Sequence, residues 1–188
     1  MADLLFPTVI VLASGRGDRF RASGGSGAKL QALLAGKPVL AHTLAAVQAS
    51  GLPWHLEDVG HPGMGDSIAA AVRHTAEANG WLILPGDLPL VQPATMRQVA
   101  AALGGAIQAA QPHYRGERGH PVGFARECRD GLLALAGNKG AAPVLQALRA
   151  VDAVADIAVD DIGVVTDIDT VEALVRAEAL LLLRLNPS

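Results

Sequence analysis

Aromatic side chains are scarce in this sequence of 188 residues: three Phe, two Trp and one Tyr make up 3% of it, although 51% of the residues are hydrophobic. The core must therefore be filled by Ala, Leu, Val and Ile. Such a composition is typical of helices packed on a parallel sheet, whose strands are buried on both faces. The length favours one domain, so we expect residues 1–188 to form a single domain.

Cysteine pairs, basic clusters and long apolar runs are also missing. Cys128 is the only cysteine, which excludes an internal disulfide or a thiolate metal cluster and fits a reducing cytoplasm. The net charge of −3 and the scattered Lys and Arg give no basic field for nucleic acid, so any bound anion must be small. The late apolar run 179–183 is too short to span a bilayer, and no targeting segment is recognised. We therefore expect a soluble, cytoplasmic protein with no nucleic-acid or membrane partner.

Strand and helix patterns alternate along the chain. Short apolar runs predict strands or extended segments at 8–13, 54–59, 81–84, 106–111, 121–125 and 154–159. Helical spacing of apolar residues predicts helices at 38–50, 66–79, 93–103, 131–136, 141–150 and from Thr170 onward, with Asp66 or Ser67 capping the second of these. The alternation predicts an α/β fold, a doubly wound, mostly parallel sheet in a three-layer α/β/α sandwich.

A glycine-containing loop follows the first predicted strand, at a place where open α/β sheets offer backbone N–H groups to ligands. Gly15 and Gly17 permit close approach of the backbone to an anion, and Arg16, Arg19 and Lys29 can supply charge-assisted hydrogen bonds. The dinucleotide fingerprint and the P-loop are excluded, because phenylalanine replaces the third glycine and leucine follows the lysine. For Gly-x-Gly alone a solvated surface turn is the stronger interpretation, so a polyphosphate cradle needs support from other sites.

Acidic residues supply that support at two further places. Asp87 directly follows the buried strand pattern near 81–84, at the sheet end that carries the glycine loop, and Asp167 and Asp169 precede the final helix. Hard oxygen donors beside a triphosphate indicate Mg²⁺, which prefers carboxylates, phosphate oxygens and water. The alternatives are a turn at Asp87 and helix caps at the later aspartates.

Other catalytic and metal-binding arrangements are absent from the sequence. The six histidines are dispersed, no His or Cys cluster has zinc spacing, and we interpret His61 and His74 as surface residues. Ser14 precedes a glycine but lies in no Gly-x-Ser-x-Gly elbow, so covalent catalysis is not expected.

Taken in order, these segments resemble the motifs of the MobA-like nucleotidyltransferases, especially the molybdenum cofactor cytidylyltransferases. The similar stretches are LASGRGDRF at 12–20 with the lysine at 29, GMGDS at 63–67, LPGDLP at 84–89, GHPVGF at 119–124, GNKGA at 137–141 and DIDT at 167–170. The resemblance spans most of the chain and implies the fold of the nucleotide-diphospho-sugar transferases.

The resemblance also implies a site. Catalytic roles fall to Lys29, Arg19 and Asp87, and Mg²⁺ would be held by Asp87 with Asp169 or Asp167. Nucleotide contacts fall to Leu12, Ala13, Ser14, Gly15, Arg16, Gly17, Met64, Ser67 and Gly86. Acceptor contacts fall to His120, Pro121 and Lys139, although His120 could equally shape its turn and Lys139 could equally be a solvated loop residue.

The implied reaction moves a nucleoside monophosphate from an NTP to a phosphorylated small-molecule acceptor and releases pyrophosphate. The His-Pro form of the 119–124 loop leans toward CTP, with molybdopterin as the acceptor, and a molybdoenzyme could be a partner. Ser14 stands where the cytidylyl and guanylyl branches usually differ, so GTP stays open, as does a protein that delivers a nucleotide or cofactor without turnover. Two departures stand out: Gly65 replaces a usual serine, and 51–63 has room for one strand only.

Overall fold

The computed structural model describes residues 6–15 and 17–185. The strands in this part of the chain are β1 (Thr8–Leu12), β2 (Leu33–Leu34), β3 (Lys37–Pro38), β4 (Trp54–Glu57), β5 (Trp81–Pro85), β6 (Ala109–Tyr114), β7 (Glu117–Arg118), β8 (Val122–Phe124) and β9 (Val154–Ala158). The α-helices are α1 (Asp18–Ala22), α2 (Val39–Ser50), α3 (Met64–His74), α4 (Pro93–Ala101), α5 (Arg129–Leu133), α6 (Ala142–Arg149) and α7 (Val171–Leu185). Among the described residues, no helix combines the length and apolarity that crossing a membrane requires.

Seven strands form one mixed, mostly parallel sheet. Its order is β4-β1-β5-β8-β6-β7, and β9 pairs with β6. β1 runs parallel to β4 and β5, and β9 runs parallel to β6, whereas β7 and β8 are antiparallel to their neighbours. The α/β sandwich expected from the sequence is confirmed, and the single strand expected within 51–63 is β4, at one edge of the sheet.

The alternation of side chains along the central strands produces the layers. In β5, Leu82 and Leu84 enter a core shared with α2 and α4, whereas Trp81 and Ile83 enter a second core shared with α3 and α5. Successive strand residues point to opposite faces, so a run that is apolar at every position must be covered on both sides. The helices therefore lie on both faces, and the ends of the central strands remain open to a ligand.

A third apolar cluster fixes the chain that follows the glycine loop. Phe20 of α1 is 2% exposed and packs with Ile168 beside α7. A Cβ at Gly25 would lie 2.2 Å from the Phe20 ring, so glycine is needed where the chain passes it. Ser23 Oγ donates to the Phe20 carbonyl at 2.8 Å and accepts from the Val171 N–H at 3.0 Å. These contacts join the start of α7 to the segment after α1.

The helix predicted at 66–79 differs from the structure at both ends, because α3 spans Met64–His74 and stops at Thr75, before the predicted end near Asn79. The helix begins at Met64 with Gly63 as its N-cap, so the predicted cap at Asp66 or Ser67 is wrong. Asp66 instead accepts a hydrogen bond from the Gly137 N–H at 2.9 Å. Asp66 is thus the third residue of the helix, and its side chain is used in this tertiary contact rather than as a cap.

Asp161 is a buried carboxylate that holds three segments together. Its Oδ2 accepts from Gln92 N–H and Thr95 Oγ1, both at 2.8 Å. Its Oδ1 accepts from Gly163 N–H at 3.0 Å and from Arg184 NH2 at 3.1 Å. The residue is 2% exposed, so water cannot replace these bonds. The start of α4, the turn at 162–165 and the last helix thus meet at one side chain.

We expect Asp161→Ala to lower the free energy of unfolding by about 3 kcal/mol, because it leaves the buried N–H and hydroxyl donors that bond to Asp161 without an acceptor. Urea denaturation, monitored by circular dichroism, measures this loss of stability. Asp160→Ala changes the exposed neighbour and serves as the control, with an expected change within about 0.5 kcal/mol. Equal, small effects of both substitutions would contradict the structural role assigned to Asp161.

Candidate functional site

The ends of β1 and β5, with the segment that follows β4, line a cleft of about 740 Å³. Because the carboxyl ends of parallel strands meet at one edge of a sheet, motifs that follow different strands converge there. The residues of the sequence-based site that line the cleft are Leu12, Ser14, Gly15, Gly17, Arg19, Lys29, Met64, Ser67, Gly86, Asp87, His120, Asp167 and Asp169. The cleft is therefore the candidate functional site.

Four residues of the sequence-based site are not among the cleft-lining residues. Arg16 lies outside the described residues. The Ala13 N–H donates to the Glu57 carbonyl at 2.9 Å and so is used within the fold. Pro121 is buried, joined to His120 by a cis peptide bond. Lys139 lines a separate pocket beside α5 and α6, so the structure does not bring it together with the other predicted residues.

Lys29 stands at the centre of a charged cluster in the cleft. Its Nζ donates to Asp87 Oδ2 at 2.6 Å and to Asp169 Oδ1 at 2.9 Å, although these partners lie 58 and 140 positions away in the sequence. Arg19 NH1 lies 2.6 Å from the other oxygen of Asp169. The side chain of Lys29 is 13% exposed and that of Arg19 is 80% exposed, so the cluster runs from the interior to the surface.

Backbone hydrogen bonds hold the cluster in place. The Ile168 N–H donates to the Asp87 carbonyl at 3.0 Å, which fixes the DIDT loop to the turn after β5. The Gly86 N–H donates to the Leu12 carbonyl at 2.9 Å, and a Cβ at position 86 would lie 3.0 Å from that oxygen. Thr43 Oγ1 of α2 donates to the Gly86 carbonyl at 2.9 Å. The rigid frame of the sheet therefore sets where the carboxylates lie.

The charges in the cluster shift one another's pKa values. Burial raises the pKa of Asp167, and the neighbouring charges of Asp169 and Asp87 raise it further. Burial also acts to raise the pKa of Asp169, but the hydrogen bond and charge of Lys29 and the charge of Arg19 outweigh it, so this pKa is lowered. Burial opposes the charge of Lys29, yet its two carboxylate partners raise its pKa above the usual value. Lys29 is therefore a stable ammonium ion.

The cluster has the donor set of a hard cation site. Asp87 Oδ1 is buried and has no hydrogen-bond partner among the described residues, a costly state for a carboxylate oxygen. No three acidic, His or Cys side chains of the described chain form a complete metal-binding group, and Lys29 lies between Asp87 and Asp169. The residues thus fit a cation that completes its shell with water and phosphate oxygens, as Mg²⁺ does.

His120 lies on the cleft wall near Asp87. Burial lowers its pKa, and the charge of Asp87 only partly opposes this effect. The backbone N–H of His120 donates to the Val164 carbonyl at 2.9 Å, and a Cβ at Gly119 would lie 2.3 Å from that same oxygen. The close approach explains the glycine at position 119, and the lowered pKa leaves the His120 imidazole uncharged at neutral pH.

The start of α3 forms the opposite wall. Ser14 Oγ lies 3.2 Å from Ser67 Oγ, which joins the glycine loop to the helix. A Cβ at Gly63 would lie 2.4 Å from the backbone of Gly137, so the 136–140 segment packs directly on the helix start. The two loops that the sequence assigned to nucleotide and acceptor therefore form one packed unit.

The same packing explains why glycine replaces the usual serine at position 65. A Cβ there would lie 2.8 to 2.9 Å from the backbone of Ala136, a clash that only a backbone shift can relieve. We expect Gly65→Ser to lower the free energy of unfolding by about 2 kcal/mol. Chemical denaturation tests this, with Gly60→Ser as the control because a Cβ at Gly60 meets nothing within 4 Å. A Gly65→Ser protein as stable as the control would contradict the packing argument.

The interpretation of His61 as a surface residue is wrong. Its side chain is 22% exposed and lines the cleft, and its Nε2 lies 3.1 Å from Oε1 of Glu57, a carboxylate only 7% exposed. The sequence held one signal for this placement: His61 follows a predicted strand and precedes the GMGDS motif by two residues. Glu57 is the last residue of β4, and nothing in the sequence marks it as a site residue.

Two of the curated relatives match this chain at 30% and 35% identity. The bifunctional protein GlmU of Aromatoleum aromaticum is 30% identical over 146 residues, which cover 65% of this chain and 30% of the relative. The 2-C-methyl-D-erythritol 4-phosphate cytidylyltransferase of Cereibacter sphaeroides is 35% identical over 146 residues, covering 61% of this chain and 64% of the relative. The chain thus spans less than a third of the length of this GlmU relative.

Solved structures share the fold. A nucleotidyl transferase from Methanothermobacter thermautotroptrophicus has a TM-score of 0.80 at 21% identity and covers 96% of this chain and 99% of its own. Rv0371C of Mycobacterium tuberculosis H37Rv, in complex with manganese, has a TM-score of 0.69 at 23% identity, covering 93% and 98%. The MobA-like NTP transferase domain matches residues 9–154, in agreement with the order of the sequence motifs. The chain belongs to the family of MobA-like NTP transferase domains.

Proposed function

We propose that this protein transfers a nucleoside monophosphate from an NTP to a phosphorylated small molecule, with release of pyrophosphate. The observation that carries the proposal is the meeting of Asp87 and Asp169 on the single amine of Lys29, inside a cleft that also contains the glycine loop. The ammonium group of a lysine can bind the oxygens of a triphosphate, and a carboxylate oxygen without a hydrogen-bond partner can bind the metal ion that accompanies it. The name of the Cereibacter sphaeroides relative, a cytidylyltransferase, supports the same reaction class.

Lys29 and Arg19 would bind the triphosphate. An ammonium group has three donors, and Asp87 and Asp169 accept from Lys29, so one donor remains for a phosphate oxygen. Asp87, with Asp169 or Asp167, would hold Mg²⁺, which when bound offsets charge on the α-phosphate and on the leaving pyrophosphate. The manganese complex of a protein with this fold supports the use of a divalent cation.

The acceptor phosphate attacks the α-phosphorus in line. One of its oxygens forms the new P–O bond as the bond from the α-phosphorus to the bridging oxygen breaks, and that electron pair leaves with pyrophosphate. A phosphate monoester has its second ionisation near pH 6, so the attacking oxygen is mostly anionic at neutral pH and needs no strong base. His120, uncharged through burial, contributes hydrogen bonding rather than charge.

We further propose CTP as the donor and molybdopterin as the acceptor, on the strength of the GHPVGF loop. Guanylyl transfer to molybdopterin or to another phosphorylated compound is the nearest alternative. A protein that holds a nucleotide or cofactor for a partner enzyme, without turnover, is the alternative outside catalysis. In the cytidylyl case, a molybdoenzyme would receive the product.

Pyrophosphate release tests the proposal. The protein is incubated with CTP, GTP or ATP, with Mg²⁺ and with molybdopterin or simpler phosphorylated acceptors. We expect release that requires the metal and the acceptor and that is fastest with CTP. Tight NTP binding without product, in the presence of molybdopterin, would favour the delivery protein instead.

A further inference from the structure

The cleft has a second end, beyond β4, whose chemistry differs from that of the charged cluster. β1 lies between β4 and β5, and neighbouring strands are spaced by about 4.8 Å, so the ends of β4 and β5 are about 10 Å apart. The charged cluster follows β5. The end near β4 is lined by His61, Met64 and Ser67, with no Lys or Arg among them. A nucleotide whose triphosphate binds Lys29 extends across the strand ends toward this second end.

His61 is held in place by a buried carboxylate. Glu57 Oε1 lies 3.1 Å from His61 Nε2, and Glu57 Oε2 lies 3.5 Å from His55 Nε2. A carboxylate only accepts hydrogen bonds, so the shared proton is carried by Nε2 of His61, and its Nδ1 is not engaged by Glu57. The Glu57 carbonyl also accepts from Ala13, which fixes β4 against the glycine loop.

The second end suits a nucleobase. Met64 is 49% exposed and lines the cleft, so its thioether offers an apolar surface to a flat ring. The imidazole of His61, oriented by Glu57, lines the same cleft and offers a polar ring edge. In an NTP the base is the group farthest from the terminal phosphates, and this wall is the part of the cleft near β4, two strands from the charged cluster.

We propose that His61 contacts the base of the bound NTP and sets base preference, and that Glu57 is a positioning residue that orients the His61 ring. The proposal rests on the proposed function, because it takes the ligand to be an NTP. It assigns to this chain a recognition element that neither the glycine loop nor the GMGDS motif contains.

His55 supplies a matched control. It bonds to the same Glu57 carboxylate and is 23% exposed, against 22% for His61. Its ring stacks on that of His74 at 5.1 Å, and it does not line the cleft. A purely structural role for the Glu57 cluster would make the two histidines equivalent, whereas base recognition separates them.

The test measures binding of CTP, GTP, ATP, UTP and inorganic triphosphate by calorimetry with Mg²⁺. We expect His61→Ala to weaken binding of the preferred NTP about tenfold and to flatten the preference among bases, with triphosphate binding unchanged. Glu57→Gln should weaken binding of the same NTP by a smaller factor, and His55→Ala should leave the affinity for every nucleotide unchanged. Thermal unfolding confirms that each variant folds, and His61→Asn replaces His61→Ala where the alanine variant does not fold.

The outcomes separate the two proposals. Unchanged NTP affinity and base preference in His61→Ala, with a wild-type protein that binds NTP, would overturn the role of His61 and leave the proposed function standing. Equal losses in His61→Ala and His55→Ala would also overturn it, in favour of a structural cluster. A wild-type protein that binds neither NTP nor triphosphate would overturn both proposals.

Discussion

Replacing Asp87 by asparagine is expected to lower kcat for pyrophosphate release by about a hundredfold or more. Asparagine keeps the shape of the side chain and can still accept from Lys29, but it removes the negative charge. Oδ1 of Asp87 is buried without a hydrogen-bond partner among the described residues, so a bound cation would supply the interaction that it lacks. The loss should therefore fall on the metal-assisted step rather than on folding.

Two measurements separate this effect from a general loss of structure. The Mg²⁺ concentration that gives half-maximal rate should rise in Asp87→Asn, and the thermal unfolding temperature should stay near that of the wild type. Asp160→Asn removes an exposed carboxylate of the same type and is expected to leave both unchanged. An Asp87→Asn protein with wild-type turnover at ordinary Mg²⁺ would remove Asp87 from the site.

Replacing Lys29 by methionine is expected to lower kcat by a similar factor, about a hundredfold or more, for a different reason. The ammonium group is the one buried cation that touches both Asp87 and Asp169 in the described chain. Without it the triphosphate loses a charge-assisted donor, and two carboxylates lie close together with less positive charge between them.

The Lys29→Met effect has its own control and its own signature. Lys37→Met removes an exposed lysine of β3 and should leave activity unchanged. Because Lys29 lowers the pKa of Asp169, removing it should raise that pKa, which carbon-detected NMR of the carboxyl group can follow. Turnover within a factor of two of wild type would show that Lys29 holds the carboxylates but does not act on the nucleotide.

The part of the fold that follows from local pattern could be predicted from the sequence. β5 is apolar at every position and β1 at every position but Thr8, which is typical of central strands, and the residues that follow neighbouring parallel strands meet at one edge of the sheet. That single rule placed Asp87 beside the glycine loop. It could not show that Lys29 reaches both Asp87 and Asp169, because side-chain contacts across 140 positions depend on how the loops pack.

The remaining differences have the same physical origin. The antiparallel direction of β8 is set by its pairing with β5 and β6, and its three residues carry no local signal for that direction. Lys139 was placed with the acceptor by its motif, yet the packing of the 136–140 segment on α3 leaves it beside another pocket. His61 was missed because an isolated histidine forms no periodic pattern in the sequence. Its partner Glu57 is recognised only from the structure, in which its side chain is buried against His61.

The most direct test of a single metal and triphosphate site is a crystal structure with Mn²⁺ and a non-hydrolysable CTP analogue, in which anomalous scattering locates the metal. We predict Mn²⁺ at about 2.2 Å from an oxygen of Asp87, close to the distance that Mg²⁺ keeps from carboxylates. A phosphate oxygen should lie within hydrogen-bond distance of Lys29 Nζ. Metal and triphosphate bound away from Lys29, Asp87 and Asp169 would contradict the account.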